Sequence, residues 1–236
     1  MNILLGGICA SRGEGTWPYF LADYIDCNLV NLSVAGAGNP YIHDSVIHEL
    51  ARRTYDMVVV LWGDSRHFSI KVDDIAKFAD STHTTLYQSQ QNDWPSKVIV
   101  PVNDQDYVDK NWILNAGYLN NESDSATNFF KEYYKTVSHA QVIEGDILRL
   151  IALQGVLKSL NQPYLFLYRK PYTQFKRFDH LYKMIDWENF YTEDTLVEIA
   201  DRTNDHKIDN TYPGPDGQRY YAKLVAEQIQ RRLVKS

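Results

Sequence analysis

Apolar and polar positions divide this chain into segments of different period. Asn2-Ile3-Leu4-Leu5 is one short apolar run, Leu29-Val30-Asn31-Leu32-Ser33-Val34 a second, and Asp56-Met57-Val58-Val59-Val60-Leu61-Trp62 a third. Runs of this length closed by turn residues predict buried strands, and the lack of alternation in the third predicts a parallel strand covered on both faces. Between them the period lengthens. Trp17 to Ile25 reads as a helix with Thr16 as cap and Pro18 in its first turn, and Pro40 to Arg53 as another, with Ile42, Val46, Ile47 and Leu50 on one face.

After Arg66 the pattern dissolves. From His67 to Asn128 the chain is rich in Asp, Asn, Ser, Thr and isolated aromatics, with one apolar run at Val98-Ile99-Val100-Pro101-Val102. A structureless loop of that length does not suit a compact domain, so 67–128 is expected to be an insertion with short helices and a hairpin, packed over one rim as a lid or interface. Phe129 to Leu160 then reads as one helix, with Ile143, Ile147, Leu150, Ile151, Gln154, Leu157 and Leu160 at helical spacing, stopped by Gln162-Pro163. Tyr164 to Tyr168 is a fourth strand, Phe178 to Met184 a short helix and Gln218 to Leu233 an amphipathic closing helix. The order βαβαβ, insertion, αβα predicts one α/β domain over 1–236: a flavodoxin-like, doubly wound parallel sheet in strand order 2-1-3-4.

In such sheets ligands sit outside the carboxyl ends of the strands. The turns after the first three strands, Gly6-Gly7-Ile8-Cys9-Ala10-Ser11-Arg12-Gly13, Ala35-Gly36-Ala37-Gly38-Asn39 and Gly63-Asp64-Ser65-Arg66, all fall there, and Asp209-Asn210-Thr211-Tyr212-Pro213-Gly214-Pro215 would complete the rim before the last helix. These four blocks, in this order, resemble those of the SGNH (GDSL-type) hydrolases, and Trp17-Pro18 with Pro213-Gly214-Pro215 resembles phage and bacterial members. The resemblance implies Cys9 or Ser11 as nucleophile and Asp209 as acid. It implies an oxyanion site from the Gly36 N–H with Ser65 or Asn39 as side-chain donor, flanked by Asp64 and Arg66. The literal Gly63-Asp64-Ser65 follows the third strand, whereas the family's nucleophile follows the first, so it is not expected to be the nucleophile.

The resemblance departs at one position. Where the family carries its histidine base, this chain has Tyr212. A phenol of pKa about 10 is protonated at neutral pH and accepts no proton as an imidazole does. His206 or His67 could serve as a relocated base, and a cysteine needs less help than a serine because thiols ionise at about 8.5.

Composition narrows the classes further. The chain has 236 residues, 44% of them hydrophobic, which suffices for one sizeable core. A net charge of −6 with acids and bases mixed leaves no basic stripe, so no nucleic-acid partner is expected. No apolar run is long enough to span a bilayer, Met1 leads straight into a core strand rather than a signal peptide, and two cysteines without metal-ligand spacing fit a reducing compartment. Cytoplasmic synthesis, no metal and no cofactor are the expectations. Gly36-x-Gly38 is followed by Tyr41 where a dinucleotide loop needs its third glycine, and no P-loop lysine follows Gly13.

Two readings of function stand. One is an ester hydrolase or carbohydrate O-deacetylase acting on a small ester or acetylated saccharide, with weakened or lost catalysis. The other is a non-catalytic phage or bacterial structural or glycan-binding component using the same crevice, with virion or homo-oligomer contacts; aromatics at 13% suit sugar stacking or an interface.

Overall fold

The computed structural model describes residues 1–8, 11, 15–34, 37–63, 68–71, 98–99, 112–115, 125–169, 175–203 and 213–234. Strands β1 (Asn2–Gly6), β2 (Asn28–Asn31), β3 (Met57–Trp62), β5 (Val98–Ile99), β7 (Tyr164–Tyr168) and β8 (Phe190–Tyr191) form a six-stranded sheet in the order β5-β2-β1-β3-β7-β8. Every pairing is parallel. The expected order 2-1-3-4 is its centre, and the sheet is doubly wound. β5 and β8 extend it at either edge, the first out of the Val98 run and the second from two residues too few to show a period. β4 (Phe68–Lys71) and β6 (Trp112–Asn115) make a separate antiparallel pair.

The helices are α1 (Trp17–Tyr24), α2 (Asn39–Leu50), α3 (Ser125–Thr136), α4 (His139–Ser159), α5 (Asp179–Tyr182), α6 (Leu196–Thr203) and α7 (Pro215–Leu233). β1 connects through α1 to β2 on one side, and β2 through α2 to β3 on the other. Right-handed crossovers therefore put α1 and α2 on opposite faces. α7 packs on α1 and α6, and α4 on α2. Ile3, Leu4 and Leu5 of β1 and Val58, Val59, Val60 and Leu61 of β3 are fully buried between these layers. Each such side chain contributes roughly 1.5–3 kcal/mol of burial. A Cβ on Gly6 would stand 2.5 Å from Val46 Cγ2, so strand and helix approach there more closely than any side chain permits.

The single helix expected over 129–160 is two. Apolar spacing runs through the junction, but Ser138 closes a capping box: its Oγ accepts from Gln141 N at 3.2 Å and its own N donates to Gln141 Oε1 at 2.9 Å. The two helices also serve different clusters. Phe130 packs with Val142, Tyr133, Tyr134 and Ile70, apart from the main core. The helix expected over 178–184 shortens to α5, entered by a 3₁₀ turn at Lys176–Phe178.

Candidate active site at the carboxyl rim

Ser11 is fully buried; its Oγ accepts from Trp17 Nε1 at 3.1 Å, its N donates to Ile8 O at 2.9 Å, and its carbonyl accepts from Asn31 Nδ2 at 2.7 Å. Asn31, the last residue of β2, turns its other end to Ser33 N at 3.0 Å. One amide thus ties the turn after β1 to the turn after β2. Gly7 sits between them, where a Cβ would lie 2.9 Å from Ser33 Oγ and 3.0 Å from Ser11 Oγ. Ser11 is thus held through its amide, its carbonyl and its hydroxyl at once.

Asn39 begins α2 and is also buried. Its Oδ1 accepts from Gly63 N at 2.9 Å and its Nδ2 donates to Gly63 O at 3.3 Å. The side chain acts as a length of backbone pairing, locking the second block to the third. Ser69 of β4 braces the same corner, accepting from Tyr41 N at 3.0 Å and donating to Gly38 O at 3.3 Å. The first strand after the third block is thus docked beside the second.

The last block is tied to the first by Gln218. This fully buried side chain of α7 accepts from Trp17 N at 2.9 Å and donates to Pro213 O at 3.2 Å. Trp17 N is one of the free amides at the start of α1, so Gln218 caps one helix while holding the chain that enters another. Trp17 and Tyr221 meet edge to face with ring centroids 5.5 Å apart. A Cβ on Gly217 would lie 2.5 Å from Pro213 Cβ and 3.4 Å from Thr203 Oγ1, so Thr203 and Pro213, the two flanks of 204–212, converge on this glycine. α6 is fixed in turn by a capping box, Thr195 N donating to Glu198 Oε2 at 2.9 Å and Glu198 N to Thr195 Oγ1 at 3.3 Å.

Arg169, 3% exposed, follows β7 on this rim; its N donates to Trp62 O and its O accepts from Val197 N, both at 3.3 Å. Burial, with the Asp194 carboxylate and the neighbouring Tyr191 phenol behind it, pushes the Tyr221 phenol up, and burial with Asp194 and Glu193 does the same to Tyr191. Both stay neutral at physiological pH. Among the described residues no group of three or more His, Cys, Asp or Glu could hold a metal ion.

Of the residues singled out from the sequence, Ser11 and Asn39 fall among the described residues, and both have structural partners. Cys9, Gly36, Asp64, Ser65, Arg66, His67, His206, Asp209 and Tyr212 lie outside them. Asn31, Arg169 and Gln218 were missed. The available signals were a polar residue inside an apolar strand, a charge directly after one, and an amide opening the closing helix.

No family model and no curated protein matches the chain. Among solved structures it is similar to a protein assigned to the G-D-S-L lipolytic family from Desulfitobacterium hafniense DCB-2, at 11% identity over 96% of this chain and 98% of that one, TM-score 0.44. It is similar to the acetyl xylan esterase AlAXEase at 10% identity over 97% and 99%, TM-score 0.48. It is also similar to the psychrotrophic esterase EstA from Pseudoalteromonas sp. at 13% identity over 99% and 97%, TM-score 0.44.

Proposed function

We propose that this chain is an SGNH-type ester hydrolase whose catalysis is weakened, with Cys9 as nucleophile and a small ester or acetylated saccharide as substrate. The observation that carries this reading is the Gln218 bridge, which ties the helix after the first block to the chain entering the last helix. Ser11 Oγ is buried and engaged by Trp17, which leaves Cys9 as the nucleophile candidate of that turn. A Cys9 thiolate would add to the ester carbonyl, and the oxyanion would be held by backbone N–H groups at Gly36 and the first turn. Collapse would expel the alcohol, and water would then release the acid from the thioester. Asp209 would orient a base, but the base position of the motif carries Tyr212 in the sequence, a phenol whose reference pKa of about 10 keeps it protonated at neutral pH.

The native protein should therefore hydrolyse p-nitrophenyl acetate barely above background. Tyr212→His should raise the rate by about 10²–10⁴, the usual worth of base catalysis, and Cys9→Ala should remove the gain. Robust native turnover abolished by His206→Ala or His67→Ala would replace this reading with a relocated base. Tyr212 also favours a second reading, a non-catalytic glycan-binding component of a phage or bacterial assembly. Calorimetric binding of acetylated xylo-oligosaccharides, with no acetate released even by Tyr212→His, would select it.

A further inference from the structure

Helix α4 turns Val142, Ile147, Leu150, Leu153, Gln154 and Leu157 inward. On its opposite face the exposed positions between Glu144 and Lys158 are all apolar, unlike a fully solvated helix surface. Leu148 is 49% exposed, Ala152 and Gly155 are exposed beside it, and Ile151 and Val156 are half-buried along the edges. A glycine in mid-helix is unfavourable relative to alanine, and a Cβ on Gly155 would meet nothing within 4 Å. No described neighbour requires this glycine. What such a residue does offer is room for another chain to approach.

We propose that this face is a self-association surface, on which α4 of a second copy packs antiparallel about a two-fold axis passing between Ile151 and Ala152. Positions symmetric about that point place Leu148 of each copy opposite Gly155 of the other, so the exposed leucine enters the gap the glycine leaves, twice. The charges agree with the same register. Glu144 and Lys158 lie on one flank, near the two ends of the helix, and the two-fold brings Glu144 of one copy within one residue of the level of Lys158 of the other. Lys158 is 53% exposed and its ammonium pairs with Asp186 at 2.7 Å, so Glu144 of the second copy would join an existing pair from its solvent side. On the other flank Arg149 of each copy lies within five residues of the level of its mate but faces Asp146 of its own helix at 3.9 Å, and antiparallel helix dipoles attract. The contact is independent of the esterase reading.

A helix of 21 residues is about 31 Å long, and a contact confined to it sits at the small end of specific interfaces, so the dimer is expected to be weak and reversible. Sedimentation velocity of the full chain over a wide concentration range should show a monomer–dimer equilibrium. Leu148→Glu and Gly155→Leu should each weaken it by about ten-fold or more, as for a central interface anchor. Gly155→Leu also serves as a folding control: in open space, with a better helix former, its Tm should not fall below that of the native chain. The double variant Leu148→Cys with Gly155→Cys should cross-link two chains on oxidation, while neither single variant should link through this face as efficiently. A chain monomeric at every concentration, or a dimer indifferent to both Leu148→Glu and Gly155→Leu, would overturn the proposal.

Discussion

At the scale of single residues, the joints of the rim are side-chain amides. Asn31, Asn39 and Gln218 each bond backbone groups with both ends of the amide, and each joins two blocks distant in sequence. An amide suits this work because it offers donor and acceptor together without a charge to desolvate. Gln218→Leu would keep much of the volume but leave Trp17 N and Pro213 O buried without their partner. The expected loss is about 2–4 kcal/mol, two unsatisfied groups, read from urea denaturation. Gln218→Glu should be no better, since it retains the acceptor for Trp17 N but has no donor for Pro213 O and buries a charge.

At the scale of elements, α4, β7 and the turn before β8 meet at Asp186. Burial alone would raise this carboxyl, but hydrogen bonds from Lys158 at 2.7 Å and from Asn189 Nδ2 and Tyr164 Oη, both at 3.1 Å, hold it below the ordinary carboxylate range. A lowered folded-state pKa stabilises the fold above the unfolded pKa, and that stability is lost as pH falls through the folded value. Asp186→Asn should therefore lower stability at neutral pH, and the gap to the native chain should close on acidification below the carboxylate range. Thermal melts of both proteins across that range test this, and a gap independent of pH would show that geometry alone matters. Elements were legible where a single signal ruled them. β3 was plain because six apolar residues in succession admit little else. The α3–α4 junction was hidden because the apolar spacing passes through it, although Ser138 and Gln141 stand in the capping-box spacing. α6 carries the same box at Thr195 and Glu198, and its eight residues were too short for periodicity to reveal. Of the rim, the carboxyl ends of β1, β2 and β3 were readable from the apolar runs. The partners of Ser11 and Asn39 were not, because they come from residues brought close only by folding.

At the scale of the molecule, the main core cluster contains no residue between Trp62 and Ala140 among those described. The segment expected to be inserted at 67–128 reaches the main sheet through the two-residue edge strand β5, and Lys71 of β4 pairs directly with Trp112 of β6. Replacing 72–111 by Asn-Gly, a turn suited to close an antiparallel pair, should therefore leave a cooperatively folding protein. Circular dichroism and urea unfolding would check this. A non-cooperative transition would mean that the segment belongs to the core, and a folded variant that no longer binds ester or saccharide would identify it as a lid.

The bond between Trp17 N and Gln218 Oε1 spans 201 positions of chain. During synthesis α1 leaves the ribosome long before α7 exists, with Trp17 facing the place that Tyr221 will fill. The nascent chain can lay down β1, β2 and β3 from contacts nearer in sequence, but it cannot cap α1 or gather the rim until the last described helix is made. Closing so large a loop is slow relative to local pairing. The gathered rim is therefore among the last parts of this molecule to be born, and an incomplete chain would carry the central strands without the joint between α1 and α7.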